Sequence, residues 1–239
     1  MVRNREISYL IDKELPKDEI GNNHKTLEQQ VYETIKSKII YRELKPGERI
    51  IDKHLAEEMD VSRSLVRQAF NVLEKEGLIT SIPRSGHYVR EVTKRDVKEI
   101  YNIRKLLETY ATELSVPVIP EQDIAEVNKL FKKAKKDLAE EKTDSMKKAD
   151  FRLHEILYNN CKNRHLINMI NKYQNHYIFY RLADLSNIER AKEEYIKHSK
   201  IFETVKDRDV ELAVRLVGEH IEEARDIIIN NFENYTYGD

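Results

Sequence analysis

The distribution of proline and glycine is the feature of this sequence that most limits its fold. No proline occurs from Glu121 to Asp239, and the only glycines in that stretch are Gly218 and Gly238. Because the stretch is rich in Lys, Glu, Leu, Ile and Ala, it favours helices, which we expect near residues 121–140, 144–161, 164–184, 187–206 and 208–233. All five prolines and the other four glycines lie at or before Pro120, so the first half is predicted to be a different kind of unit.

Helix and turn signals between residues 24 and 92 predict a winged helix–turn–helix. An amphipathic helix is expected at residues 26–42, where apolar side chains recur every four positions. Asp52 is placed to cap a short helix that begins at His54, and Ser62 is placed to cap a second one. Two short runs of β-forming residues follow, and the turn residues between them predict a hairpin.

The second unit is predicted over residues 93–235. Its first helix is expected to be capped by Thr93 and to end near Leu114. With the five helices above, this makes six antiparallel helices, an all-α bundle of ordinary domain size. The polar stretch at residues 1–23 is predicted to be a flexible tail. The expected fold class is therefore mainly α: an N-terminal winged helix–turn–helix followed by an antiparallel helical bundle.

Composition narrows the class of protein further. The 42 Lys and Arg against 43 Asp and Glu give a formal net charge of −1, so no bulk charge asymmetry indicates a nucleic-acid or membrane partner. The single cysteine, Cys161, cannot form an internal disulfide and is typical of a reducing compartment. The apolar stretch Ile7–Ile11 is too short for a signal sequence or a membrane span. A cytoplasmic protein without a membrane partner is expected.

The helix after Ser62 is predicted to have two different faces. Its apolar residues fall on one side, and no acidic residue occurs between Val61 and Leu73. Long hydrogen-bond donors on a face free of carboxylates suit a helix that enters the major groove of DNA. On an isolated helix the same donors would equally form a solvated face, but the adjoining turn and wing favour DNA binding. The candidate DNA-binding residues on this helix and on the hairpin are Arg63, Ser64, Arg67, Gln68, Arg84, Gly86 and His87.

The run from Leu55 to Ile79 resembles the GntR family of bacterial transcription regulators. The segments Pro46–Ile50 and Arg84–Val89 match the same family, so the resemblance covers the whole winged helix. One departure is Asp60, where the family usually has glycine and where the turn also tolerates aspartate. The resemblance implies DNA contacts from the wing tip and from five other positions: Lys53, Ser62, Arg63, Ser64 and Arg67.

Three histidines and an aspartate in the helical half lie beside apolar stripes. Asp150 and His154 are four residues apart, which places both side chains on one helix face. His198 and His220 each lie among apolar residues on a later predicted helix. One Asp and three His can hold a divalent transition metal inside a bundle, although a single imidazole beside an apolar stripe is more often a core histidine. The residues alone leave both interpretations open.

The second half resembles the FadR-type C-terminal ligand-binding domain, in its metal-containing (FCD) branch. The matching segments are Asp150–His154, His198 with Ile201–Val205, and Gly218–Ile221. The resemblance implies a Zn²⁺ or Ni²⁺ site and a small carboxylate effector at or beside it. The implied metal ligands are Asp150, His154, His198 and His220.

Arg104 and Arg181 are candidates for binding the effector carboxylate, and salt bridges at the surface or between helices are the alternative role for both. The expected function is a metabolite-responsive repressor, a homodimer that binds a palindromic operator. The alternatives are a metal-dependent enzyme that acts on a small acid and carries an appended DNA-binding domain, or a purely structural metal. Against the enzyme, no glutamate lies near these ligands with the spacing of a general base.

Overall fold

The computed structural model describes residues 26–174 and 176–233, and the predicted tail at residues 1–23 lies outside them. The chain divides into two compact units, and the division falls between Val92 and Thr93. The described residues form ten α-helices and one small sheet, so the fold is mainly α as the sequence predicts. None of the described helices combines the length and the apolar character that crossing a membrane requires.

The first unit is a winged helix–turn–helix. Its elements in chain order are α1 (Leu27–Ile40), β1 (Arg49–Ile50), α2 (Asp52–Glu58), α3 (Arg63–Lys75), β2 (Ile79–Ile82) and β3 (Gly86–Val89). The strands form an antiparallel sheet in the order β1–β3–β2, so the predicted hairpin gains a third strand. The sequence does not predict β1, because two residues are too few for an alternating pattern.

The core of this unit lies between α1 and α3, where Val31, Ile35, Phe70 and Leu73 are fully buried. The predicted cap of α3 is confirmed, since the Ser62 hydroxyl accepts a hydrogen bond from the Leu65 amide. This bond satisfies one of the amides that the start of a helix leaves without a partner, so α3 begins at a defined residue.

The predicted role of Asp52 as a helix cap is wrong. Helix α2 begins at Asp52 itself, two residues before the predicted start at His54, and its N-cap residue is Ile51, which has no capping side chain. A negative charge in the first turn still interacts favourably with the helix dipole. The Asp52 carboxylate is therefore free to bind side chains of another helix.

The second unit is all α-helical. Its elements are α4 (Lys94–Ser115), a short 3-10 helix (Val116–Val118), α5 (Glu121–Ala139), α6 (Asp144–Asn159), α7 (Arg164–Gln174), α8 (Ile178–Ser186), α9 (Ile188–Lys206) and α10 (Val210–Asn230). Thr93 and Asp96 form a reciprocal capping box at the start of α4, as expected for Thr93. Helix α4 packs along α10 and against α6, and α9 contacts both α6 and α10. These four helices surround one polar cluster.

The prediction of six helices in this unit is wrong, because the described part contains seven α-helices. The single helix predicted at residues 164–184 is two helices in the structure: α7 ends at Gln174, and α8 begins at Ile178. Tyr177 lies at the junction, almost fully buried, and its hydroxyl donates a hydrogen bond to Glu108 on α4. The local sequence favours one continuous helix, but this tertiary contact overrides the preference.

Candidate functional site

Helix α3 has the two faces that the sequence predicts. Its buried residues are Val66, Ala69, Phe70 and Leu73. The other face is exposed and carries the predicted DNA-binding residues Arg63, Ser64, Arg67 and Gln68. Because the buried face fixes α3 on the core, the exposed donors lie on a rigid element.

A carboxylate from α2 lies against this face, beside the part of α3 before Leu73 that has no acidic residue of its own. Asp52 accepts hydrogen bonds from Nη2 of Arg63 at 3.0 and 3.2 Å and from Nε of Arg67 at 2.6 Å. Burial alone would raise the pKa of Asp52, but the two arginines hold it below its usual value. Asp52 is therefore ionised at neutral pH.

The other predicted DNA-binding residues lie around α3. Lys53 is exposed on α2 and pairs with Glu57 at 3.7 Å. Arg84 is exposed at the wing tip, and Gly86 has a φ of 119°, which favours glycine. The His87 ring lies 4.8 Å from that of Phe70 and is only partly exposed, so the core holds part of this side chain.

The second unit brings together Asp150, His154, His198 and His220, from helices α6, α9 and α10, and buries all four. Nε2 of His198 lies 2.7 Å from Oδ1 of Asp150 and 3.4 Å from Nε2 of His154. Burying four polar side chains is costly unless they bind each other or a common ion.

This cluster has the donors that a metal ion needs, and they lie close to the spacing at which one ion holds them. Ligand atoms of His154, His198 and His220 all lie within 4.8 Å of one another. Nitrogen ligands bind Zn²⁺ at about 2.0–2.1 Å, so two of them on one ion lie at most about 4.2 Å apart. The described residues therefore contain a buried histidine triad that fits a metal, with Asp150 beside it.

Two glutamates that the sequence did not predict as site residues hold two of the histidines in place. Oε2 of Glu108 lies 2.8 Å from Nδ1 of His154, while the backbone oxygen of Glu194 lies 2.8 Å from Nδ1 of His198. Each imidazole thus points its Nε2 atom into the cluster. Metal-binding histidines commonly have such a partner on the second ring nitrogen, which fixes the tautomer and the orientation of the ring.

The electrostatics of the cluster keep most ligands ready to bind a cation. Burial, with a smaller contribution from Arg181, lowers the pKa of His154 to about 4. Burial and the neighbouring histidines also lower the pKa of His220. Burial would raise the pKa of Asp150, but Arg181 and, to a smaller extent, His198 hold it well below its usual value. Burial would lower the pKa of His198, but Asp150 raises it above its usual value. Asp150 is therefore anionic at pH 7, and His154 and His220 are neutral.

Arg104 of α4 is an almost fully buried cation with unused donors. Its Nε atom donates to Oε1 of Glu108 at 2.7 Å, and its guanidinium carbon lies 4.3 Å above the Tyr177 ring. Neither Nη1 nor Nη2 has a hydrogen-bond acceptor among the described residues, and the same holds for the buried hydroxyl of Tyr101. Buried polar groups nearly always have a partner, so these donors are available to an acceptor that is not among the described residues.

Arg104 lines a cavity whose walls also include Arg181, Asp150 and His220. Arg181 donates from Nη2 to Oδ2 of Asp150 at 2.5 Å, and its guanidinium carbon lies 4.3 Å above the Phe151 ring. Arg181 therefore forms the salt bridge between helices that the sequence left as an alternative, whereas Arg104 pairs with Glu108 on its own helix. The difference is that Arg104 keeps its two Nη atoms free for a ligand.

The sequence spacing indicated no glutamate near the candidate metal ligands, but the fold places Glu108 beside His154. Both of its oxygens are engaged, Oε1 by Arg104 and Tyr177, and Oε2 by His154. Burial would raise the pKa of Glu108, but Arg104 and His154 hold it well below its usual value. A carboxylate held this way positions its neighbours and is a poor general base.

Two family models match this chain. The model for bacterial regulatory proteins of the gntR family matches residues 27–89, and the FCD domain model matches residues 99–223. The chain belongs to the GntR family and carries an FCD domain. Its two matched segments lie within the two structural units, so a DNA-binding winged helix and an effector-binding helical domain are both present in this regulator.

Individual relatives agree with this assignment. The regulator is 33% identical to the uncharacterized HTH-type transcriptional regulator YdhC of Bacillus subtilis, over 80% of this chain and 86% of YdhC. It is 28% identical to the Nta operon transcriptional regulator of Aminobacter aminovorans, over 77% of this chain and 86% of that protein.

Solved structures give the same result. The regulator matches Escherichia coli McbR/YncC with a TM-score of 0.73 and 26% identity, over 87% of this chain and 99% of that one. Because the relatives are transcription regulators, this protein is a transcription regulator and not an enzyme. Its winged helix binds operator DNA, and its FCD domain binds a small effector molecule.

Proposed function

We propose that this regulator is a homodimeric repressor of a palindromic operator, and that a small carboxylate bound beside a metal in the FCD domain changes its operator affinity. The observation that supports the effector class is the buried guanidinium of Arg104, whose two Nη atoms have no acceptor among the described residues. A carboxylate fits two parallel N–H donors of an arginine better than any other common metabolite group except phosphate.

The metal ligands in this proposal are Asp150, His154, His198 and His220, and the ion is Zn²⁺ or Ni²⁺. Nitrogen and carboxylate donors without a thiolate suit both ions. When bound, the ion supplies a Lewis-acid position for a carboxylate oxygen. Glu108 and Glu194 orient the imidazoles of His154 and His198, as their hydrogen bonds require.

The effector in this proposal is small and binds with its charged end toward Arg104. The cavity wall also includes Leu185, Ile227 and Ile228, so part of the lining is apolar and suits a short hydrocarbon portion. Arg181 gives the polar end of the cavity a further positive charge while it holds Asp150. A second carboxylate or a hydroxyl on the effector is compatible with this lining.

The regulatory step in this proposal is thermodynamic linkage. An effector that binds the regulator more tightly off the operator than on it must lower operator affinity by the same factor. A tenfold change requires only about 1.4 kcal/mol of differential binding. One buried charge-assisted contact contributes about 1.5–3 kcal/mol, so the carboxylate–Arg104 contact is sufficient when it forms only in the regulator off the operator.

A thermal-shift screen tests the effector class. Mono-, di- and hydroxycarboxylates are added to the Zn²⁺-loaded regulator and to the protein stripped by a chelator. At 100 times its Kd a ligand stabilises the native state by about 2.7 kcal/mol, so at least one carboxylate should raise the Tm measurably. The shift should shrink in the stripped protein. If no carboxylate raises the Tm while neutral analogues do, the proposed effector class is wrong.

Arg67→Ala tests the DNA-reading helix. The operator probe is the duplex that the wild-type regulator selects from a random-sequence library, and a palindromic consensus is expected for a two-fold dimer. Losing a bidentate base contact costs about 1–3 kcal/mol, so Arg67→Ala should weaken binding to this duplex roughly 5- to 150-fold. Fluorescence anisotropy at several salt concentrations measures the loss. Unchanged specific binding would exclude α3 as the recognition helix.

A further inference from the structure

We propose that Asp52 is a positioning residue that sets the sequence specificity of DNA binding, by holding the guanidinium groups of Arg63 and Arg67 in fixed orientations on the face of α3. The inference rests on the proposed DNA contacts of these two arginines. It adds a residue outside α3 that the sequence analysis assigned to a different role, and it concerns discrimination between sequences rather than overall affinity.

The contact geometry supports this role. Asp52 is at the start of α2, and Arg63 and Arg67 are one turn apart on α3, so one carboxylate reaches both. Oδ1 and Oδ2 both accept from Nη2 of Arg63, at 3.0 and 3.2 Å, while Oδ2 also accepts from Nε of Arg67 at 2.6 Å. The carboxylate therefore bridges two long side chains, and the described residues provide no other hydrogen bond or ion pair to either guanidinium.

Exposure points the same way. The Asp52 side chain is 14% exposed, whereas those of Arg63 and Arg67 are 57% and 64% exposed. The carboxylate lies underneath, and the two guanidinium groups lie above it toward solvent. This arrangement differs from a surface salt bridge, in which both partners are exposed and free to separate.

Asp52 leaves free several arginine nitrogens that can donate hydrogen bonds to DNA bases. Arg67 donates to Asp52 through Nε, so its Nη1 and Nη2 remain available. Arg63 donates through Nη2, so its Nη1 and Nε remain available. Arg67 thus keeps both nitrogens of its fork for the O6 and N7 atoms of a guanine, the commonest specific contact in the major groove. Nη1 and Nε of Arg63 do not share an edge of the guanidinium, so each of them serves a single acceptor, such as one base atom or a phosphate oxygen. A fixed orientation of the fork is what makes the guanine contact selective.

The charge of Asp52 acts on specificity as well. A carboxylate on this face repels the phosphates of every DNA sequence equally, so it lowers non-specific binding. Orienting the arginines strengthens binding only to duplexes with guanines in the right places. Both effects raise the ratio of specific to non-specific affinity.

The experiment measures that ratio in Asp52→Asn, a change that keeps the shape of the side chain and removes its charge. The two probes are the duplex selected by the wild-type regulator and a scrambled duplex of the same length, titrated by fluorescence anisotropy. Asp52→Asn should bind the scrambled duplex as tightly as wild type or more tightly, and the selected duplex about 10-fold more weakly, one lost base contact at the low end of its range. Asp52→Glu should retain a ratio close to that of wild type.

Asp60→Asn is the matched control. Asp60 lies in the turn before α3, with a φ of 51° that asparagine also adopts, and it makes none of the hydrogen bonds or ion pairs recorded for Arg63 and Arg67. Removing this charge should change binding to both probes by the same factor and leave the ratio unchanged. Circular dichroism checks that each variant is folded.

Two outcomes would overturn the proposal. If Asp52→Asn changes binding to both probes by one common factor, as Asp60→Asn should, then Asp52 contributes only charge. If the ratio of selected-duplex to scrambled-duplex affinity falls as far in Asp52→Glu as in Asp52→Asn, the carboxylate does not position the arginines. Failure of the proposed DNA contacts themselves is seen separately, as unchanged binding of the selected duplex by Arg67→Ala.

Discussion

Replacing His198 with alanine is expected to lower the Zn²⁺ affinity of the FCD domain by more than about 100-fold, the upper end of what changing a neighbour of a metal ligand costs. His198 has the central place in the cluster, because its Nε2 atom lies 2.7 Å from Oδ1 of Asp150 and 3.4 Å from Nε2 of His154. Its removal takes away one ligand and leaves the others without a common centre. Isothermal titration of chelator-treated protein with Zn²⁺ measures the loss.

The matched control is His165→Ala, since His165 is an exposed histidine on α7. This variant should bind Zn²⁺ with wild-type affinity and stoichiometry. Asp150→Ala combined with His154→Ala removes two ligands from α6 and should abolish binding. Full metal loading of the double variant would contradict the whole site, whereas loss of loading with an intact carboxylate response would show that the metal is only structural.

Replacing Arg104 with lysine is expected to abolish the carboxylate-induced rise in Tm while the domain stays folded and metal-loaded. Lysine keeps a positive charge for Glu108 but has no second and third nitrogen for a ligand. Arg104→Met should behave differently, because it leaves the buried Glu108 carboxylate without its cation. Breaking a buried pair in this way destabilises a protein by about 3–5 kcal/mol.

Differential scanning fluorimetry with and without the carboxylate found in the screen measures both effects. Arg152→Lys is the control: Arg152 joins α5 and α6 through Asp123, Glu126 and Glu155 and is not part of the cavity wall. It should keep the full carboxylate response. A wild-type response in Arg104→Lys would show that the effector binds elsewhere. The Zn²⁺ titration would still test the proposed metal ligands independently.

Much of this fold could be predicted from the sequence because its signals are local. Ser62 and Thr93 lie at helix starts, where their hydroxyl groups accept hydrogen bonds from backbone amides of the first turn. The buried and exposed faces of α3 follow from a period of 3.6 residues. Asp150 and His154 are on one helix face for the same reason, so half of the candidate metal site was visible in a five-residue segment.

The rest depends on contacts between residues far apart in the sequence. Arg104 and Glu108 are four residues apart, so they look like an ordinary surface ion pair until α6 and α10 cover them. Asp52 looks like a helix cap until α3 packs beside α2. No proline or glycine marks the junction between α7 and α8 in the sequence, because a hydrogen bond from Tyr177 to Glu108 on α4 stabilises this junction. No local pattern encodes such pairings.

The two units share one arrangement: a shielded carboxylate holds an arginine by one part of its guanidinium and leaves the rest free. Asp52 does this for Arg67, and Glu108 does it for Arg104. A free arginine side chain carries roughly 2 kcal/mol of rotamer entropy, which binding normally removes. Here folding has already removed much of it, so the arginines meet their anions with little further loss of freedom. Calorimetry should therefore find a smaller entropic penalty for DNA binding in the wild-type regulator than in Asp52→Asn.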